Sequence, residues 1–204
     1  MYKKPVIVFE GTEGSGKTFH SNYVSKYLQK KGLDFVKIRE PGGSINSEKI
    51  RKLILNSKSN FSSYTDLLLY LSARSENMIF LRKNYKKKII LIDRFVDSTV
   101  AYQHYGMGLD LGLIKKLNSF LLKDFKVDFT FLHLVSYKNM KKRLNSRKKL
   151  NRYDKFKDIF YKKVQKGFID ISKRNKTKYK IIDSDLDIDL NKKIIQKKID
   201  RLIS

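Results

Sequence analysis

The sequence predicts an α/β fold of three layers, with a five-stranded parallel sheet between two layers of helices. Three observations predict it. Short apolar runs alternate with amphipathic segments along the 204 residues, the order that builds a parallel sheet covered on both faces. The first run, Val6-Ile7-Val8-Phe9, leads directly into Gly11-Thr12-Glu13-Gly14-Ser15-Gly16-Lys17-Thr18, which fits the pattern G-x-x-x-x-G-K-[ST]. Charged residues stand at the ends of the runs, at Glu10, Arg39, Asp93-Arg94 and Asp183, where a doubly wound sheet opens its ligand crevice.

The Gly-rich segment has a physical task. Glycines let the backbone curl so that successive N–H groups point into one hollow that favours anionic oxygens. A helix starting at Lys17 adds its free N–H groups and the positive end of its dipole. Lys17 can then reach the β- and γ-phosphates of a nucleotide, and the Thr18 hydroxyl can bind Mg²⁺. Phe19, Tyr23, Val24, Tyr27 and Leu28 recur at helical spacing behind it. The motif therefore lies between a strand and a helix, as a P-loop must, and the fold class is a P-loop NTPase-type α/β/α sandwich.

The remaining elements follow in order. The first helix ends near Lys31, with Gly32 as a left-handed cap. Phe35-Val36-Lys37-Ile38 is the second strand, and Pro41-Gly42-Gly43 forces a turn after it. Ser47 is placed to cap a helix carrying Ile50, Leu53 and Ile54. A long helix starts at Thr65 or Asp66 and runs to about Tyr85. Lys88 to Asp93 is the clearest buried strand and ends in an acid, as a Walker B strand does. Residues 94–103 form a short helical or irregular piece, and Gly106, Gly108 and Gly112 mark a flexible connection. Ile114, Leu117 and Leu121 line a helix. Phe129 to Leu134 is the fourth strand, and Ser136 caps a helix that runs into the basic stretch Arg143 to Arg152. Phe156, Phe160, Val164 and Phe168 line a further helix. Tyr179 to Ile182 is the fifth strand, and Ile195, Ile199 and Leu202 mark a closing helix.

The length is that of one domain, residues 1–204, enough to bury about 70% of the extended-chain surface. The chain has no cysteine, which excludes disulfides, thiolate zinc sites and a cysteine nucleophile and suits the cytoplasm. No apolar run is long enough to span a bilayer, so no membrane partner is expected. Glu10 interrupts the first apolar run, so no secretory signal is expected. The net charge of +26 admits nucleic-acid binding. The lysines, however, are scattered from Lys3 to Lys198, and charge alone gives weak, salt-sensitive association, so no specific nucleic acid is expected.

Phosphoryl transfer asks for charge neutralisation and positioning more than for covalent chemistry. Asp93, at a strand end, can hold Mg²⁺ or serve as a structural carboxylate. Arg39 and Arg94 have the planar fork that binds phosphate bidentately; the alternative for each is a surface ion pair. Arg143, Arg147 and Arg152 lie where a lid could bring one of them onto a transferring phosphate and exclude water, or where they simply form a solvated basic face. Tyr70 and Arg74 share a helix face, so they can hold a base between ring and guanidinium, although Tyr70 alone reads more readily as core. His20, His104 and His133 show no metal spacing and carry no assigned chemistry.

Taken together, Phe9 to Thr18, Arg39-Glu40-Pro41-Gly42-Gly43, Tyr70 with Ala73-Arg74, Asp93-Arg94-Phe95-Val96-Asp97-Ser98 and Ala101-Tyr102-Gln103 resemble the thymidylate kinase family from about Val6 to Asp183. The resemblance implies a kinase that moves the γ-phosphoryl of ATP, with Mg²⁺, to dTMP, and a homodimer. It implies that residues Gly11 to Thr18 bind ATP together with Arg143 and Asp183, the latter bordering the adenine site. Glu13 then meets the sugar of the acceptor, and Arg39 and Arg94 meet its phosphate. Tyr70 stacks on thymine, Arg74 hydrogen-bonds it, and Ser98 and Gln103 line the same pocket. Tyr102 crowds the 2′ position and so favours deoxyribose. Catalysis falls to Lys17, Asp93, Arg94 and Arg147. Position 14 is glycine rather than arginine, so the chain resembles the bacterial type whose catalytic arginine comes from a lid, here about residues 143–154.

Departures fall at Phe19, Tyr70, Phe95, Asn145 and Asn151. Asn151 stands where the lid usually carries Asp before Arg152, which puts the lid's internal ion pairing in question. Other readings are a kinase for another nucleotide or a deoxynucleoside, an ATPase that couples hydrolysis to motion, or a basic nucleic-acid-binding protein that uses the P-loop as an anion site.

Overall fold

In the computed structural model, which describes residues 2–146 and 151–204, five parallel strands form one sheet in the order β2-β3-β1-β4-β5. The strands are β1 (Val6–Gly11), β2 (Phe35–Arg39), β3 (Ile89–Asp93), β4 (Phe129–Leu134) and β5 (Tyr179–Asp183). β1 lies at the centre because all six of its residues are buried, and only a strand covered on both faces and paired on both edges can be so apolar. Its register, with Phe9 opposite Asp93 and Phe131, brings the ends of β1, β3 and β4 to one level.

The period of two along each strand divides the core into layers. Ile7, Phe9, Leu91, Phe129 and Phe131 face α1 (Lys17–Lys30) and α8 (Ile188–Ile203), meeting Val24, Leu28, Ile195, Ile199 and Ile203. Val6, Val8, Ile90 and Ile92 face the opposite way and meet Met78 and Leu81 of α3 (Ser63–Asn84). On that side α7 (Asp158–Lys173) packs Phe160, Val164 and Phe168 around Ala101 and Tyr102. The other helices are α2 (Ile45–Leu55), the single turn α4 (Val96–Thr99), α5 (Leu111–Leu122) and α6 (Tyr137–Asn145).

Several boundaries differ from the sequence reading, each for a local reason. Ser44, not Ser47, caps α2; Ser47 is buried inside the helix, where its hydroxyl donates to the Gly42 carbonyl and accepts from the Gly42 N–H. α3 starts at Ser63 because Ser62 accepts the Thr65 N–H. Gly112 lies within α5, which Asp110 caps. Residues 94–103 take the helical of their two expected forms, as α4 followed by a π-helix over Val100–Gly106 that runs into the expected flexible connection. Gly32 ends α1 with φ 66°, as expected.

Candidate functional site

The loop after β1 is built on its glycines. Gly11, Gly14 and Gly16 have φ of 143°, 67° and 81°, values that L side chains rarely adopt. A Cβ on Gly11 would come 2.3 Å from the His133 carbonyl oxygen, so only glycine lets the loop lie this close to the end of β4. Behind it, His20 and His133 stack with Nδ1 and Nε2 3.1 Å apart. Burial pushes them down to about 4 and about 3, so both rings are neutral packing groups. Lys17 opens α1 and donates to the Thr12 carbonyl at 3.0 Å. Burial, with Arg94 nearby, brings its ammonium down to about 8. Thr18 donates to Asp93 Oδ2 at 2.6 Å, joining the loop to the end of β3.

In front of the loop lies a cleft of about 200 Å³. It brings together Glu13, Lys17, Thr18, Arg39, Tyr70, Arg74, Asp93, Arg94, Ser98, Tyr102 and Gln103, residues from three strand ends and from helices that are far apart in sequence. Tyr70 and Arg74 line it one turn apart on α3. Arg74 is only 2% exposed, donates to Glu40 Oε2 at 2.8 Å and to Asn118 Oδ1 at 2.5 Å, and lies over the Phe95 ring. The π-helix turns Tyr102 and Gln103 inward, and Gln103 Nε2 is buried without a protein partner.

Arg94 follows β3 with φ 68°. Its guanidinium donates to Glu13 Oε1 at 2.8 Å and to Ser98 Oγ at 3.2 Å, and lies 5.2 Å from the centre of the Tyr102 ring. The Tyr102 hydroxyl donates to the other Glu13 oxygen. Burial would lower Arg94, but the oxygens of Tyr102, Glu13, Glu10 and Asp93 outweigh it and hold the guanidinium more firmly protonated than usual. Glu13 is held below the usual carboxylate range because Arg94 and Lys17 more than offset its burial.

Arg39 is more than half exposed and its fork is occupied by Glu48, at 3.0 Å. Arg51 was not singled out in the sequence. It lines the cleft from α2 and donates to the Pro41 carbonyl at 2.6 Å, which satisfies a donor without cancelling its charge. Arg74 and Arg39 are matched by Glu40 and Glu48, and Arg51 adds a further positive charge to the same cleft. In a chain with 46 lysines and arginines no pattern marked it; the only signal was its place one turn beyond Ser47, on the helix after Pro41-Gly42-Gly43.

Arg143 and Asp183 do not line this cleft. Arg143 donates to the carbonyls of Gly14 and Ser184, at 2.8 and 2.7 Å, docking α6 onto the loop. Asp183 is exposed at the end of β5, where it accepts the Asp185 N–H. Arg147 lies outside the described residues. Arg152 is committed to Asp66, in an ion pair that the Tyr153 hydroxyl shares. Asn151 lines the cleft and caps the short turn Arg152–Lys155, in a reciprocal pair with Asp154. The missing lid aspartate is therefore replaced by a cap, and Arg152 finds its carboxylate on α3 instead.

Comparison with known proteins agrees with this geometry. The family model for thymidylate kinase matches residues 9–195. A thymidylate kinase from Ligilactobacillus salivarius is 37% identical over 191 residues, covering 90% of this chain and 91% of that protein. One from Kosmotoga olearia is 32% identical over 185 residues, covering 90% and 89%. The crystal structure of thymidylate kinase from Ehrlichia chaffeensis superposes with a TM-score of 0.79 at 33% identity, over 97% of this chain and 98% of that one. The chain belongs to the thymidylate kinase family.

Proposed function

We propose that this chain transfers the γ-phosphoryl group of ATP to dTMP, giving dTDP and ADP. The observation that carries the reading is one continuous cleft. Its lining includes Lys17, Thr18 and Asp93, chemically suited to phosphate and a cation, and Tyr70, Arg74, Arg94 and Gln103, suited to a base and its phosphate.

The backbone N–H groups of residues 12–18 hold the donor phosphates, and Lys17 exchanges its Thr12 carbonyl for their oxygens. Arg143 and Asp183 flank the donor nucleotide beside the loop. Thr18 Oγ1 and Asp93 Oδ2, 2.6 Å apart, are hard oxygen donors of the kind Mg²⁺ takes, and these residues would hold it. Held there, the cation would supply neutralisation of the donor's phosphate charge. Arg94 and Arg51, with Arg39 at the rim, place the acceptor phosphate in line. That phosphate oxygen is already ionised, so no strong general base is required. Arg147, from the lid at about residues 143–154, neutralises the transferring group.

Tyr70 stacks on thymine, and Arg74 and the free Gln103 amide hydrogen-bond its edge. Glu13 meets the sugar, and the Tyr102 ring, pinned by its bond to Glu13, crowds the 2′ position. The whole chain acts as one domain. Its dimerisation is supported by Tyr64, Leu68, Ile79 and Phe80, large apolar side chains exposed on α3, and Phe120 on neighbouring α5. Among the described residues no helix is long and apolar enough to cross a membrane, which is compatible with work in the cytoplasm.

A coupled assay of ADP release across a panel of nucleoside monophosphates tests the reading. dTMP is the expected preferred acceptor. Turnover of AMP, GMP or thymidine with none of dTMP would overturn it.

A further inference from the structure

Glu10 ends the apolar run of β1 and is fully buried. A carboxylate in such a place requires donors, and it has three. Oε1 accepts the N–H groups of Phe95 and Ser98 at 2.8 and 3.1 Å, and Oε2 accepts the Ser98 hydroxyl at 2.5 Å. Phe95 is the cap residue of α4 and has no side chain able to cap it. Glu10 performs that task from another strand, 85 positions away.

The Ser98 hydroxyl has one proton. Because Glu10 takes it, the oxygen's lone pairs are left for Arg94, whose Nη1 donates to it at 3.2 Å. Arg94 also needs fixing at its backbone, since its φ of 68° lies in a region that non-glycine residues rarely occupy. Its N–H bonds the Phe9 carbonyl at 3.0 Å, and the next residue is held by Glu10. The two ends of β1 residues 9 and 10 thus grip the turn on both sides of Arg94.

We infer that Glu10 is a positioning residue for the acceptor phosphate: through the Phe95 and Ser98 amides and the Ser98 hydroxyl it holds Arg94 in the turn that aims its guanidinium into the cleft. This rests on the reading of Arg94 as an acceptor-phosphate ligand. It also gives Ser98 a different task from lining the base pocket, that of passing the orientation of Glu10 on to Arg94.

Glu10→Gln is nearly isosteric but has one acceptor oxygen and one donor amide. Its carbonyl can accept both backbone N–H groups, as Oε1 does, but its amide then donates to Ser98 Oγ, so the hydroxyl proton loses its acceptor and the amide competes with Arg94 for the Ser98 lone pairs. Calorimetric binding of dTMP and of thymidine, which lacks the phosphate, separates positioning from general damage. For Glu10→Gln and for Ser98→Ala, dTMP affinity should fall about tenfold while thymidine affinity stays within about twofold, and the double variant should be little worse than either single one. Wild-type dTMP affinity in Glu10→Gln, or equal losses for dTMP and thymidine, would overturn the inference. Arg94→Ala is the control for the underlying reading: unchanged dTMP affinity there would remove the acceptor-phosphate role itself. In that event a crystal structure of Glu10→Gln still decides, because an Arg94 that keeps both Ser98 and Glu13 would show that Glu10 does not position it.

Discussion

Replacing Arg74 by methionine tests how the base end of the cleft is held. Arg74 and Glu40 are almost wholly buried, with side chains 2% and 4% exposed, and are joined at 2.8 Å. Asn118 Oδ1 accepts a second Arg74 donor. Methionine fills much of the volume but leaves a buried carboxylate with only a long contact from Asn77, at 3.4 Å. Breaking a buried pair on one side costs about 3–5 kcal/mol. For a chain of this size each kcal/mol moves Tm by roughly 2–4 °C, so Arg74→Met should melt about 6–20 °C lower by circular dichroism. Burial already pushes Glu40 upward against the pull of Arg74. Without Arg74 it should take up a proton more readily, so the deficit should shrink as pH falls. Adding Glu40→Gln removes the orphaned charge and should recover part of the loss, roughly 1–3 kcal/mol on a double-mutant cycle. A single variant within about 1 kcal/mol of wild type, or a double variant that shows the full sum of both losses, would refute the argument that this pair is a coupled, desolvated unit.

Other expectations concern chemistry and pH. Arg147→Ala should lower kcat by orders of magnitude with little change in the KM for dTMP, measured by steady-state kinetics, and unchanged kcat would reject it as the catalytic arginine. Adding Gly14→Arg to that variant should not restore kcat; recovery of most of the lost rate would show that the loop has room for the charge. Tyr102→Ala should raise use of the ribonucleotide relative to dTMP in competition assays, and an unchanged ratio would place that discrimination elsewhere. Asp97 is bonded by the Tyr179 hydroxyl at 2.8 Å and pushed up to about 7, by burial first and then by Glu10, against the pull of Arg74. The folded state therefore holds this proton more tightly than the unfolded one, so its favourable contribution is complete below about pH 4 and is lost as pH rises through 7. Asp97→Asn should match wild-type stability near pH 4 and exceed it by about 1–2 kcal/mol at pH 8, where solvent reaching the half-buried Asp97 screens its charge. A gap that is the same at both values would contradict the assignment.

The strands and the loop were legible because local chemistry constrains them. A run such as Ile89 to Asp93 can be buried throughout only as a covered strand, and the positive φ values of Gly11, Gly14 and Gly16 leave few other residue types acceptable. The π-helix was not legible. It follows from tertiary fit: a Cβ on Gly106 would lie 2.6 Å from the Phe160 ring, and one on Gly167 would lie 2.6 Å from the Tyr105 ring, so α7 and this segment meet at a closeness that no single-segment periodicity records. The ion pairs were equally hidden. Arg74 pairs with Glu40 across 34 positions and Arg152 with Asp66 across 86. Motif spacing can name such an arginine without revealing whether its fork is free for a ligand. That is why Arg39 reads as a phosphate clamp in sequence yet holds Glu48 in the fold, while the unmarked Arg51 lines the cleft beside it.

Gly14 connects the loop to the question of where the catalytic charge comes from. It has φ 67°, and a Cβ there would stand 3.4 Å from the Met140 carbonyl and 3.5 Å from the Arg143 Cβ. A side chain at position 14 would therefore carry a backbone penalty, with its Cβ in ordinary van der Waals contact with α6. The same helix sends Arg143 to the Gly14 carbonyl, and Ser184, which accepts its other donor, itself donates to the Ser15 carbonyl at 2.6 Å. Loop, α6 and the chain after β5 form one braced unit. Glycine at position 14 thus keeps both the left-handed turn and the Arg143 brace, and the proposed lid source of the positive charge is what Arg147→Ala tests.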